Sequence, residues 1–299
     1  MAAESSLVPA RAPLPRALAV PDVAARKGGG TPLVMVTAYD APSARAVDAA
    51  GVDMILVGDS VAMVVLGYDD TLHVTIDDMT HHTAAVARTK PRALVVADLP
   101  WMSYHRSVDE AVTNAASLIR AGATAVKLEG GRKRVDAVQA ILDAEIPVMG
   151  HLGLTPQSVN ALGGYRVQGK TLDAARVIVD DAIALAEAGC FAIVLECVPD
   201  AVARMVTDSV EVPTIGIGAG RHCDGQVLVY HDILGFEDRV RPKFVRRYAD
   251  LQHEATAAIA HFADDVRAGT FPASGETYHA ADSVSEALGL YGSSEHVPA

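Results

Sequence analysis

The sequence predicts an α/β protein, a single-domain (β/α)8 barrel of the TIM barrel type, on three observations. Counting from Pro32, apolar runs occupy 33–38, 53–58, 93–98, 124–129, 146–150, 191–196, 213–218 and 227–231, and eight is the strand number of a closed parallel barrel. Runs such as LVMVTA and ALVVA do not alternate in polarity, as expected of strands buried between an inner layer and an outer ring of helices. Five runs lead into an ionisable residue, Asp59, Asp98, Glu129, His151 and Glu196, and a barrel brings the C-terminal ends of all its strands to one mouth.

Residues 1–30, rich in Ala, Pro and Arg and closing on Gly28, Gly29 and Gly30, read as a flexible N-terminal leader; Glu4 and Asp22 argue against a transit peptide. The barrel is expected over 31–268. Between its strands lie helical stretches with recognisable ends: Ser107 and Glu110 have capping-box spacing, and Gly122 closes that helix. Over 171–188 the polar residues Asp173, Arg176, Asp180 and Glu187 fall on one side, opposite Ala175, Ile178, Ala182, Leu185 and Ala186. The segment 151–170 shows neither helical nor strand periodicity and reads as a long functional loop at the mouth. His151 is expected to end the fifth strand, 243–268 to form the last outer helix, and 269–299 to be a polar C-terminal tail. A doubly wound open sheet is the competing architecture, but no GxGxxG follows the first strand.

A net charge of −12 argues against binding a nucleic-acid backbone, which requires clustered Lys and Arg. The densest basic stretch, Arg239, Arg241, Lys243, Arg246 and Arg247, reads as a solvated helix start or a subunit contact. Cys190, Cys197 and Cys223 lack CxxC spacing, which signals neither disulfides nor zinc and fits a reducing cytoplasm. No run approaches the roughly 20 apolar residues of a membrane span.

Asp59, Asp98 and Glu129 come from three consecutive runs, which a parallel barrel places on neighbouring strands about 5 Å apart. Carboxylates that close repel one another unless a cation compensates, and an all-oxygen set selects a hard ion such as magnesium. Any one of these acids alone would read equally as a helix N-cap. Lys127 shares a strand face with Glu129, where it either neutralises a carboxylate or holds an anionic substrate. Glu196, between FAIVL and Cys197–Val198, has the apolar setting that tunes a carboxylate into a general base; an ion pair with Lys127 or an arginine is the alternative. His151 is placed to hydrogen-bond a substrate oxyanion or a metal-bound water, or to serve as a core histidine. The glycines of GIGAG at 216–220 suit either phosphate binding or close packing. His73, His81, His82, His222 and His231 share no spacing, and Trp101, Met102 and Tyr104 read as walls of the mouth or as packing.

Read together, LVGDS at 56–60, VADLP at 96–100, VKLEGG at 126–131, GHLGLTPQSVNALGGYRVQG at 150–169, LECVP at 195–199 and GIGAGRHCDGQVLVYHD at 216–232 resemble the ketopantoate hydroxymethyltransferase family over about residues 30–265. The resemblance implies transfer of a hydroxymethyl group from 5,10-methylenetetrahydrofolate to 3-methyl-2-oxobutanoate, forming 2-dehydropantoate for pantothenate and coenzyme A synthesis. It implies one Mg2+ per subunit on Asp59 and Asp98, with Glu129 joining directly or through water. It further implies keto acid binding by Asp59, Ser60, Asp98, Lys127 and His151, and Glu196 as the base. A cytoplasmic homo-oligomer, a decamer, is the assembly it suggests. His73 stands where the family pattern has proline and Trp101 where phenylalanine is commoner. The rivals are a magnesium-dependent carbon–carbon lyase or mutase of the isocitrate lyase and phosphoenolpyruvate mutase type, whose KKCGH-like loop is lacking here, and a catalytically silent ligand-binding or assembly barrel.

Overall fold

The computed structural model describes residues 16–236 and 242–281, which fall into two compact units divided between Ala249 and Asp250. Unit one contains a closed barrel of eight parallel strands in sequential order: β1 Leu33–Thr37, β2 Met54–Val57, β3 Leu94–Asp98, β4 Ala125–Glu129, β5 Val148–Gly153, β6 Ala192–Glu196, β7 Thr214–Ile217 and β8 Gly225–Leu228, with β8 closing on β1. In unit two a helix spans Leu251–Ala268, with no buried residue. Helix formation there starts eight residues later than the apolar pattern of 243–268 suggests.

Period two along each strand divides the molecule into layers. Inward positions build the inner core from Leu33 and Met35, Met54 and Leu56, Leu94 and Val96, Met149, Val194, Ile215 and Val227. Outward positions such as Val95, Ala97, Val126, Leu128, Ile193 and Leu195 pack in a second core with helices that include Ile76–Ala87, Val108–Arg120, Val135–Asp143 and Leu172–Glu187. Burial on both sides explains the missing polar alternation.

Helix ends follow local chemistry. Ser107 Oγ accepts from Glu110 N at 3.1 Å, but the Glu110 carboxylate turns to Arg106 instead of returning to the cap, so half of the capping box forms. Gly122 adopts φ +109°, and a Cβ there would lie 2.4 Å from Ala87 Cβ; both facts require glycine.

Three boundaries differ from the sequence pattern. β5 runs past His151 to Gly153, because His151, Leu152 and Gly153 pair with Val194, Leu195 and Glu196. The segment after it is not irregular throughout, since Pro156–Ser158 forms a 3-10 turn and Val159–Leu162 a short helix. β8 begins at Gly225, where a Cβ would meet Leu33 O at 2.6 Å, so close strand pairing recruits a glycine and a glutamine that apolarity does not single out.

Part of the expected leader is ordered. Val20–Ala24 is helical, Val23 is fully buried in the inner core, and Leu18 N donates to Arg92 O at 2.8 Å, closing the N-terminal end of the barrel. Arg239 and Arg241 of the basic stretch lie outside the described residues. No helix among the described residues is long and apolar enough to cross a membrane.

Candidate active site

The inward rows change character toward the C-terminal end. On β3 the row reads Leu94, Val96, Asp98; on β4 Ala125, Lys127, Glu129; on β5 Met149, His151; on β6 Ala192, Val194, Glu196. Register sets Asp98 beside Lys127 and Glu129 beside His151, so the ionisable groups form one interior layer above the apolar plug. Asp59 comes from two residues beyond β2 rather than from the strand, and its backbone N donates to Asp98 Oδ2 at 3.1 Å.

Asp59, Asp98, Lys127, Glu129 and His151 are all buried. Lys127 Nζ lies 2.9 Å from Asp98 Oδ1. His151 bridges two acids, with Nδ1 3.3 Å from Glu129 Oε1 and Nε2 3.2 Å from Glu196 Oε2. Asp98 Oδ1 and His151 Nε2 make these contacts without hydrogen-bond direction, so both keep unused hydrogen-bonding capacity.

Electrostatics follow from the crowding. Burial first, then the charges of Asp98 and Glu129, hold the Asp59 carboxyl well above the usual range. Burial also raises Asp98, with Lys127 opposing. Glu129 is lowered despite burial, because His151 hydrogen-bonds its charged form. Burial lowers Lys127, but Asp98 and the other acids outweigh it and the net shift is upward. For His151, burial and the neighbouring Lys127 favour loss of the proton; the Glu129 and Glu196 carboxylates win, and its pKa rises to about 9.

Gln157, which sequence reasoning missed, ties the cluster together. Its Nε2 donates to Asp59 Oδ2 at 2.8 Å and to Leu99 O at 2.9 Å, while its backbone N donates to Glu129 Oε2 at 3.0 Å. Tyr104 OH donates to Gln157 Oε1 at 2.6 Å and accepts from Glu129 N at 3.1 Å. Tyr104 therefore supports the site rather than merely walling it, unlike the exposed Trp101 and Met102. Pro156 opening the 3-10 turn was the available sign that Gln157 is held rigidly.

Ser60 Oγ lies 2.8 Å from Tyr39 OH, one residue past Asp59. Glu196 is not wrapped in apolar side chains as its sequence neighbours suggested: its side chain is 17% exposed and faces His151, which among the described residues is its ion-pair partner in place of Lys127 or an arginine. The chain turns sharply after it, with Cys197 at φ +47°, a conformation costly for a residue with a Cβ. The GIGAG glycines serve packing, since a Cβ on Gly218 would meet Phe244 at 2.7 Å and one on Gly220 would meet Asp200 at 2.6 Å. His73 stacks on Tyr68 at 4.9 Å and pairs with Asp70.

The donor chemistry suits a hard dication. Four carboxylates, Asp59, Asp98, Glu129 and Glu196, face two cations, Lys127 and protonated His151, and Asp98 Oδ1 is a buried acceptor without a well-directed donor. Among the described residues no group of three or more His, Cys, Asp or Glu side chains is placed to hold a metal ion. A cation here would thus draw part of its coordination from water or substrate.

The profile of the ketopantoate hydroxymethyltransferase family matches residues 17–274. The chain belongs to that family. The 3-methyl-2-oxobutanoate hydroxymethyltransferase of Moorella thermoacetica is 59% identical over 254 residues, covering 85% of this chain and 94% of the relative. The enzyme of the same name from Syntrophomonas wolfei is 59% identical over 240 residues, covering 80% and 87%. Among solved structures, phosphonopyruvate hydrolase superposes with a TM-score of 0.59 at 14% identity, covering 91% of this chain and 95% of that one, and so shares the fold. Family membership makes the chain an enzyme.

Proposed function

We propose that the chain transfers a hydroxymethyl group from 5,10-methylenetetrahydrofolate to 3-methyl-2-oxobutanoate, giving 2-dehydropantoate, the first step of pantothenate biosynthesis. The observation that carries this reading is the interior layer of Asp98, Lys127, Glu129, His151 and Glu196, joined by Asp59, above an apolar barrel core. It combines an anion-binding cation, a carboxylate at the edge of the pocket and a surplus of buried negative charge.

Asp59 and Asp98 would hold a magnesium ion, with Glu129 joining directly or through water. When bound, that ion supplies Lewis acidity toward the keto and carboxylate oxygens of the substrate and so acidifies its C3–H bond. Lys127 places its ammonium beside Asp98, where it steadies the negative charge that develops on the substrate. Ser60, held by Tyr39, offers a hydroxyl at the same wall.

Glu196 removes the C3 proton. His151 Nε2 lies 3.2 Å from its carboxylate, and Glu129 Oε1 faces the Nδ1 side of the imidazole at 3.3 Å. The carbanion then forms the new carbon–carbon bond to the one-carbon unit, whose bonds to the folate nitrogens break. One water is consumed overall: its oxygen and one hydrogen become the product hydroxyl, and its other hydrogen, with the C3 proton taken up by Glu196, restores the two N–H groups of the released tetrahydrofolate. The setting that accompanies this reading is a cytoplasmic homo-oligomer, a decamer, which sedimentation would measure.

The test is C3 proton exchange of 3-methyl-2-oxobutanoate in D2O, followed by NMR with and without magnesium. Magnesium-dependent exchange, with product formed only when the folate is added, supports the proposal. Exchange at the rate of the blank would end it, and exchange without folate-dependent product would move the activity to another enolising reaction.

A further inference from the structure

A second cavity lies beside the carboxylate cluster, in the segments that follow β1 and β8. Its volume is about 210 Å3, and its lining includes Tyr39, Tyr230, His231, Phe236, Val65 and Asp40. The four rings touch one another: Tyr39 and His231 at 5.7 Å between centroids, Tyr230 and His231 at 5.5 Å, His231 and Phe236 at 5.8 Å, with Phe236 stacked near Tyr230 at 6.4 Å. Such a wall is assembled before any ligand arrives.

Tyr39 connects this cavity to the site already described. It is buried, it lines the cavity, and its hydroxyl lies 2.8 Å from Ser60 Oγ, next to Asp59. Tyr230 is fixed by its backbone N, which donates to Thr37 Oγ1 at 2.9 Å. At the rim, the exposed Asp40 caps the following helix: its Oδ1 accepts from Ser43 N at 2.7 Å and Ser43 Oγ at 2.5 Å, which sets the direction of the carboxylate and leaves Oδ2 for a ligand.

Aromatic walls with a carboxylate oxygen at the rim select a flat ring whose edge carries an N–H donor, since the ring stacks on the walls and the charged oxygen receives the N–H. The keto acid does not match: it is small and anionic, repelled by Asp40 and attracted to Lys127. The one-carbon donor does, because its head is a fused two-ring system with a 2-aminopyrimidinone edge. The cavity is smaller than the roughly 300–1,000 Å3 that encloses a whole drug-sized ligand, so it would take the head and leave the rest of the donor outside.

We infer that this cavity binds the pterin head of the folate donor, with Asp40 Oδ2 receiving an N–H of its 2-aminopyrimidinone edge. The inference rests on the donor assigned in the proposed function. Proton exchange at C3 needs no donor, so it separates the two sites.

The experiment compares Asp40→Asn and Val65→Trp, the second filling the cavity from a half-exposed position. Both are expected to raise the KM for 5,10-methylenetetrahydrofolate about tenfold or more while magnesium-dependent exchange stays near the wild-type rate. An unchanged donor KM in both variants, with the wild type competent in transfer, would overturn the cavity assignment alone. A parallel fall in exchange and transfer with an unchanged donor KM would place the effect on the keto acid site and also overturn it. Wild-type exchange with no folate-dependent product would remove the donor reading itself.

Discussion

The mouth and the base of the barrel are built by the same strands, yet they treat their carboxylates in opposite ways. At the base, Asp224 accepts from Gly28 N at 3.0 Å and Thr214 N at 2.9 Å and pairs with Lys27, while Asp48 accepts from Arg92 N and Ala93 N and Asp53 from Val34 N. These acids satisfy backbone donors and hold chain segments together. At the mouth, Asp98 and Glu196 face the charged side chains of Lys127 and His151, and Asp59 is crowded by two other acids. The acids at the base are tied to backbone donors, whereas at the mouth Asp98 Oδ1 and Glu196 face charged side chains that a substrate or a cation can replace.

The sharpest break of this comparison is Glu196→Gln, which should lower C3 exchange by about 10²–10⁴-fold, the usual weight of a general base, while keto acid binding measured by calorimetry persists. Exchange at the original rate would remove Glu196 from that role. Lys127→Met comes next: without its ammonium the neighbouring acids share a buried site with no fixed cation, and stability in metal-free buffer should fall by about 3–5 kcal/mol, read from urea melts. Added magnesium should restore part of that loss, and equal loss with and without it would count against a cation site.

Gln157→Leu should cost about 1–3 kcal/mol and also slow exchange, because it frees Asp59 and leaves Leu99 O without this donor. At the base, Asp224→Ala is expected to cost about 1–2 kcal/mol and to leave exchange untouched, the reverse pattern. Its pH dependence has a definite sign. Burial would raise the Asp224 carboxyl, but hydrogen bonds from Thr214 and Gly28 and the Lys27 charge hold it below the usual aspartate range. The stability it contributes is therefore present above that range and is lost as the pH falls through the folded value. The variant should show a flatter acid limb in melts taken down to about pH 2. Val23→Ala, which opens space in the inner core, completes the series at on the order of 2 kcal/mol, with activity retained.

Much of this was legible before any coordinates. Eight apolar runs, buried on both faces, specify strands through a periodicity local to each segment, and Asp98, Glu129 and Glu196 stand at strand ends because they continue the inward row of the strand below them. Local patterns therefore determined the barrel, its strand order and the end at which ionisable groups collect. Tertiary structure alone decided which groups meet: Lys127 with Asp98, His151 between Glu129 and Glu196, Gln157 returning from the loop after β5 to join Asp59 and Glu129, and Val23 closing the base from a segment that reads as a leader. Partner choice depends on inter-strand register and on the path of returning loops, and these are settled by packing among residues far apart in the chain.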